Sequence, residues 1–367
     1  MQEDTLKQGA PSARPRPTIH DVARELGVSA RTVSRIMNDQ PGVSAGTRAR
    51  LAPRIAELGY APHAGARRLR MNWRVEGIGV TLGADPAIVP LSDALLSWLF
   101  QELYDHFGAR GEFISFDLHG AAQDAAHDYA RGLWQDRFGA LVIAGALADE
   151  DTTLARVHAA GHPYVALCRL YSQPDAYTAT VDFERAAYES VALLAARGHR
   201  RIGMVRPLAG YQPGTERLRG YQHAHEALGL PYDSARVASV DFRSGTVYEA
   251  ATSLLHDRTV TALIDASGHQ DAKQLRNACT YTMRQIGRDV DVVVWTYDEQ
   301  ARVLGEAYAH VALPVRAAAV QGLAGLAARM YENVPQAPVL LSPRVFQPPA
   351  GPEAQPPQPV FRVTPRT

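Results

Sequence analysis

The sequence predicts a small all-α, helix-turn-helix head at the N-terminus, followed by an α/β core of two doubly wound, parallel-sheet lobes. Three observations lead there. Residues 18–60 hold three short segments with apolar side chains at helical spacing, each bounded by start and stop signals. From about Val75, short apolar runs alternate with longer amphipathic stretches, as strands alternate with helices in parallel sheets covered on both faces. Charge is also divided. Residues 1–70 carry twelve basic and six acidic side chains, net +6, whereas the remaining 297 carry 26 basic and 32 acidic, net −6. A basic head on an acidic body is expected of a small module that meets a polyanion, carried by a larger one that does not.

Residues 1–17 are polar, with three prolines and no periodicity, and are expected to be a loose arm. The first helix is predicted over Ile19–Leu26, with Ile19, Val22, Ala23 and Leu26 on one face and Gly27 ending it. Ser29 is the natural N-cap of a second helix, about Ala30–Asn38, which faces Val33 and Ile36 inward. After the turn Asp39-Gln40-Pro41-Gly42, Ser44 caps a third helix with Leu51, Ile55 and Leu58 inward, ending at Gly59. Pro53 lies well inside that helix, where a proline typically costs ~3 kcal/mol. Either the helix is kinked or it starts later.

Strands are predicted at Gly77–Leu82, Phe113–Phe116, Ala140–Ala144, Tyr164–Leu167, Ile202–Val205, Ala262–Ile264 and Val290–Trp295. Amphipathic stretches at Leu95–Phe107, Arg185–Arg197, Leu218–Leu228, Val247–His256 and Val315–Tyr331 supply helices between them. The tail after Ser342 is proline-rich, lacks heptads, and is expected to be disordered, with residues 348–367 outside the core. The composition, 46% hydrophobic and 21% charged, excludes wholesale disorder. The longest apolar run, Ala140–Ala148, falls short of the ~18 residues of a membrane span. The N-terminus has no secretory h-region, and two cysteines exclude a disulfide framework, so a soluble cytoplasmic protein is expected.

Two capped helices around a glycine-containing turn, rich in arginine, form a helix-turn-helix signature. The second helix would lie in the major groove of double-stranded DNA with Ala30, Arg31, Ser34 and Arg35 exposed. Arginine suits bidentate contact with guanine, and alanine offers a small apolar surface. Thr18, His20, Ser29, Thr32, Ser34 and Asn38 are short polar groups placed to hold phosphates. The bland alternative is a three-helix bundle whose arginines merely face water.

The stretches TIHDVARELGVSARTVSRIMND, PGVSAGTR and ELGYAPHAGARRLR closely resemble the DNA-binding head of the lac/galactose repressor family of bacterial transcription regulators. The body, through RGHRRIGMV and ERLRGYQHAHEALGL, is more loosely similar to that family's periplasmic-binding-protein-like core. The resemblance implies a repressor that binds a palindromic operator as a homodimer, modulated by a small molecule such as a sugar or related metabolite. It places Ala30 and Arg31 at the operator-choosing positions and Arg35 at the guanine-reading one. It makes residues 61–74 a linker whose Pro62–Arg70 segment matches the minor-groove hinge helix, with Leu69 as the inserted wedge. For Leu69, packing against the core is the competing role. The implied core spans 75–347, with one lobe at 75–180 and 312–341 and the other at 182–310.

Of effector residues, the resemblance implies Arg217 as a clamp on hydroxyls or carboxylates, Asp298 as an acceptor and Phe242 as a stacking aromatic. Cys168 stands where aspartate is common, Ser267-Gly268 replaces an Asn-Asp pair, and Leu313 replaces a frequent glutamine. Three readings follow: a less polar ligand, a ligand held from positions such as Arg169 or His269, or a core without effector control. Whether a ligand would release or reinforce DNA binding is not legible.

Other signals are weaker. Gly42-Val43-Ser44-Ala45-Gly46 fits a hydrolase nucleophile elbow, but a helix and turn precede it where a strand is required. Gly77-Ile78-Gly79 lacks the third glycine of a dinucleotide fingerprint. His223 and His225 lie two apart on a predicted helix and diverge, so no metal is expected. No cofactor and no enzymatic activity are expected. A solute-binding or sensor protein using only the two-lobed core is the alternative from another class.

Overall fold

The computed structural model describes residues 17–37, 41–58, 77–83, 94–119, 128–145, 147–149, 151–241, 245–268, 272–298 and 308–347. The chain divides into two compact units, Met1–Arg74 and Val75–Thr367.

In the first unit, α1 spans Ile19–Glu25, α2 Ala30–Met37 and α3 Ala45–Glu57. Each starts on a hydroxyl cap. Thr18 Oγ1 accepts from the Asp21 amide at 3.3 Å while the Thr18 amide donates to Asp21 Oδ2 at 2.9 Å, closing a capping box. Ser29 Oγ accepts from Thr32 N at 3.1 Å, and Ser44 Oγ from Thr47 N at 3.2 Å. Val22, Ala23, Val33, Ile36, Leu51 and Ile55 are buried together, with Ile19, Leu26 and Leu58 partly buried around them. At ~1.5–3 kcal/mol per large apolar side chain, so small a core leaves a narrow margin over chain entropy, and the caps matter correspondingly. Pro53 lies within α3, which nonetheless begins at Ala45 beside its cap, so the later start is not adopted.

The second unit holds two lobes. The first has a four-stranded parallel sheet, β2-β1-β3-β4, from β1 (Ile78–Gly83), β2 (Ile114–His119), β3 (Ala140–Gly145) and β4 (Tyr164–Ala166). It packs with α4 (Ala94–His106), α5 (Arg131–Trp134), α6 (Thr153–Ala159) and, from far along the chain, α11 (Val315–Glu332). β5 (Ala179–Val181) pairs in parallel with β11 (Val339–Leu341) beside it.

The second lobe has a six-stranded sheet, β12-β10-β9-β8-β6-β7, from β6 (Ile202–Pro207), β7 (Val237–Val240), β8 (Ala262–Asp265), β9 (Asp291–Tyr297), β10 (Ala309–Leu313) and β12 (Arg344–Phe346). One face carries α7 (Phe183–Ala196) and α8 (Gln212–Ala227), and the other α9 (Val247–His256) and α10 (Lys273–Tyr281). Alternate residues of β6 serve the two faces: Met204 joins the α7/α8 core and Val205 the α9/α10 core. The chain passes between lobes after β5, at Pro314 after β10, and between β11 and β12.

Two expectations need correction. The second sheet is not wholly parallel, because β12 runs antiparallel to β10; residues 344–346, expected in the tail, thus form a strand, with Phe346 stacked on His310 at 4.9 Å. α8 begins six residues before the predicted Leu218. Pro213 sits in its first turn, and glycines hide the rest: a Cβ on Gly214 would lie 2.4 Å from Leu208 O, and one on Gly220 1.9 Å from Glu184 O. Those residues are glycine because backbone approaches backbone there, which from sequence reads as a loop. Among the described residues, no helix is long and apolar enough to cross a membrane.

Pro53→Ala supplies the missing amide opposite the Ala49 carbonyl on an exposed face of α3. It should stabilise the head by about 1–3 kcal/mol, read as slower amide exchange in α3 of the full chain by mass spectrometry. Unchanged or faster exchange would show that Pro53 contributes something the helix needs.

Candidate nucleic-acid interface and interlobe cleft

On α2, Val33 and Ile36 point into the head core, which turns Arg31 outward and leaves it exposed. Arg35 is half-buried, its guanidinium lying over Gly42; a Cβ on that glycine would meet Arg35 Nη1 at 2.9 Å. Gly42 has φ +99°, so the turn after α2 requires glycine, and the missing side chain leaves room for Arg35. Ala30 is half-buried at the start of the helix. The first turn of α2 holds no acidic residue, so nothing opposes an incoming phosphate at the positive end of its dipole.

The predicted phosphate-holding groups divide. Thr18 Oγ1 donates to Asp21 Oδ2 at 2.6 Å, and this bond holds the Asp21 carboxyl below its usual range. Ser29 and Thr32 share a hydroxyl–hydroxyl bond of 2.9 Å at the α2 cap. These three serve local structure first. His20 is exposed and Ser34 half-buried, whereas Asn38 and Leu69 lie outside the described residues. Sequence reasoning missed Arg48. From α3, its Nη1 donates to Ile36 O at 3.3 Å and Arg35 O at 3.5 Å, capping the end of α2 and bracing the reading helix against α3.

In the core, the strand ends that open α/β sheets use for ligands face each other across the lobes. The first turn of α8 is tied to the loop after β3. Gln212 N donates to Leu147 O at 3.0 Å, and Asp149 accepts from Gln212 Nε2 at 2.5 Å and from Thr215 Oγ1 at 2.7 Å. Beside this, Arg169 from the loop after β4 donates to Glu216 at 3.2 Å and to Glu184 at 3.5 Å, while Tyr171 donates to Glu184 at 2.7 Å. Trp98 of α4 meets Tyr297 of β9 edge-on at 5.2 Å.

Of the implied effector residues, Arg217 and Ser267 come together at the end of the second sheet. Arg217 is buried, donating from Nε to Ala266 O at 2.7 Å and from Nη1 to Pro213 O at 2.6 Å, with its plane over Phe183 and Trp295. Burial pulls its pKa down to about 10, which leaves it charged at neutral pH. Ser267 donates its hydroxyl to Asp265 Oδ1 at 2.6 Å. Asp298 accepts from Arg344 of β12 at 2.5 Å, while its other oxygen, Oδ1, is buried without a partner among the described residues. Cys168 is buried on the first lobe, and desolvation raises its thiol pKa, so it remains a neutral, weakly donating group. Phe242 and His269 lie outside the described residues. Among the described residues, no group of three or more His, Cys, Asp or Glu is placed to hold a metal.

Glu216 was not foreseen. In Glu-Arg-Leu-Arg it reads as the solvated face of a helix, yet it is 2% exposed. Burial pushes its carboxyl from the ordinary 4.5 up to about 7, against the pull of Arg169 and Arg217. The folded state therefore holds a proton that the unfolded chain releases near 4.5, so this group's contribution to stability falls as pH rises from about 4.5 to about 7. Glu216→Gln should match the parent in melting temperature below that window and exceed it increasingly through it, with the difference levelling off above. A difference that does not vary with pH would mean Glu216 does not titrate there.

The sequence pattern of the bacterial regulatory proteins of the lacI family matches residues 18–63. Those of the periplasmic binding proteins and sugar binding domain of the LacI family and of the periplasmic binding protein-like domain match 92–267 and 191–347. The chain is 30% identical over 251 residues to the maltose regulon regulatory protein MalI of Escherichia coli (strain K12), spanning 67% of this chain and 70% of that protein. It is 29% identical over 292 residues to the HTH-type transcriptional regulator CelR of Thermobifida fusca, spanning 78% of this chain and 83% of that protein. In fold it resembles the lac repressor dimer bound to operator and the anti-inducer ONPF, with TM-score 0.67 at 21% identity over 90% of this chain and 98% of that one.

Proposed function

The chain belongs to the lacI family of bacterial regulatory proteins and is a DNA-binding transcriptional regulator; from that premise we propose that it is a dimeric repressor of a palindromic operator, controlled by a small molecule held between the core lobes. The observation that carries this reading is the orientation of α2, which packs Val33 and Ile36 inward and turns Arg31 to solvent, with Arg35 braced over Gly42.

In the major groove, Arg31 and Arg35 would read base edges, with Ala30 against a neighbouring apolar edge. His20 and Ser34, with Asn38, would hold phosphates, and the caps at Thr18, Ser29 and Thr32 would add to them where their bonding allows. Leu69 is the proposed minor-groove wedge at the dyad. A ligand would meet Arg217, Ser267 and Asp298, with Cys168 and Phe242 at its edges, and would change how the lobes sit on each other and hence the spacing of the two heads. The role is one of binding rather than catalysis, exercised where the chromosome is, in the cytoplasm.

Dimerisation is supported by an aromatic patch on the first lobe. Phe100 and Tyr104, one turn apart on α4, and Phe116 of β2 are all exposed, and Phe100 meets Phe116 edge-on at 5.1 Å. Aromatic clusters of this kind are what interfaces cover.

Arg35→Ala is expected to lose about 1–3 kcal/mol of discrimination between a selected palindrome and a scrambled duplex, by fluorescence anisotropy at fixed salt, and Arg31→Ala to relax fewer positions. If both variants discriminate as the parent does, the head does not read DNA through α2. Tyr104→Asp with Phe116→Asp should convert the dimer to monomer in sedimentation velocity and weaken operator binding. An unaltered dimer would place the interface elsewhere.

A further inference from the structure

Among the described residues of the core, three arginines are buried: Arg206, Arg217 and Arg284. Two are fully accommodated. Arg217 has two carbonyls and two aromatic faces, and Arg284 donates to Val260 O at 2.6 Å and Asp289 O at 2.7 Å. Arg206, the penultimate residue of β6, is 8% exposed, and its Nε is buried with no hydrogen-bond partner among the described residues. Neither does its guanidinium enter any ion pair there. A permanently charged group in that position is costly unless something arrives to pair with it.

Its surroundings indicate what that is. The guanidinium lies against the first turn of α8, its Nη1 2.9 Å from where a Cβ on Gly214 would sit. That turn carries no acidic residue and no side-chain cap. Its Gln212 and Gly214 amides are already engaged with Leu147 O and Tyr211 O, so the helix contributes its dipole while Arg206 contributes the donors. The carboxylate whose field reaches Arg206 is that of Asp149, and its oxygens are bonded to Gln212 and Thr215 instead. Gln212 Oε1, also buried and without a donor among the described residues, offers an acceptor for a hydroxyl close to the anion.

We infer that the interlobe cleft takes a hydroxylated oxyanion, a sugar acid or a sugar phosphate, whose carboxylate or phosphate is received by Arg206 at the first turn of α8. This rests on the reading of the cleft as an effector site and adds the charge of the ligand to it. The position also couples the ligand to lobe geometry. An oxyanion at Arg206 is repelled by Asp149, the first-lobe carboxylate that ties down Gln212 and Thr215, so binding loosens that tie.

The test is calorimetric titration of the full chain with gluconate, glucose 6-phosphate, inorganic phosphate and neutral glucose, repeated on Arg206→Met. The expected result is binding of gluconate or glucose 6-phosphate in preference to glucose, weakened by roughly 10- to 100-fold in Arg206→Met. Inorganic phosphate separates the two anion sources, since its binding favours the phosphate ester. In the ligand-free state, Arg206→Met should melt at a higher temperature than the parent, because an unpaired buried charge has been replaced by an apolar chain of similar length. The inference is overturned if no oxyanion binds at millimolar concentration, if glucose binds as well as its charged relatives, if the variant binds them equally, or if the variant melts lower. Operator affinity measured alongside keeps the premise separate: Arg206-dependent anion binding without effect on operator affinity supports the anion site and removes the effector reading.

Discussion

The core is organised by one cross-lobe tie, the Asp149 carboxylate accepting from Gln212 and Thr215 in the first turn of α8. It brings the start of α8 against the first lobe, and the unusual groups of the cleft follow from that closeness. Glu216 is buried and reaches across to Arg169; Arg217 is pressed between backbone carbonyls and aromatic faces; Arg206 is buried beneath the helix with its Nε unpaired among the described residues. Removing that much charged surface from water is affordable only because most of the groups pair with one another. The exception is where ligand chemistry is to be sought.

The head solves a different problem with less material. Six small or medium apolar side chains form its core, and local bonds do the remaining work: three hydroxyl caps, a glycine turn, and Arg48 reaching from α3 to the last carbonyls of α2. Several polar groups that sequence reasoning assigns to phosphates are committed to these caps. A phosphate only accepts, so a cap can hold one only with a proton of its own: Thr18 gives its proton to Asp21, whereas Ser29 and Thr32 share a single bond and keep one hydroxyl proton to donate.

The head was legible in the sequence because everything that shapes it is local. Apolar spacing, the serines before α2 and α3, and Gly27 lie within a few residues of what they determine. The lobes were legible as alternation, and all seven predicted strands are present. Five strands were missed: β5, β11 and β12 are three residues long and β7 is half-exposed, so their existence depends on partners distant in sequence, whereas β10 is five residues long and buried throughout, an apolar run broken by His310 that sequence reasoning passed over. The cleft was least legible. Glu216 looks like a solvated helix face, Arg206 like a strand end, and Arg344 like part of a loose tail, until tertiary contact gives them Arg169, Gly214 and Asp298. Resemblance pointed to Arg217 and Asp298 but not to the internal partners that hold them.

The chain passes between the lobes three times, and the last passage joins β11 of the first lobe to β12, the outermost strand of the second. Three covalent connections oppose sliding or parting of the lobes and favour rocking about the crossings. The third strap also carries Arg344, which grips Asp298 just past the end of β9. Any rocking that tightens or slackens this strap therefore pulls on the Asp298 carboxylate just past β9, so the segment from β11 to β12 acts as a tendon between the first lobe and the end of that strand.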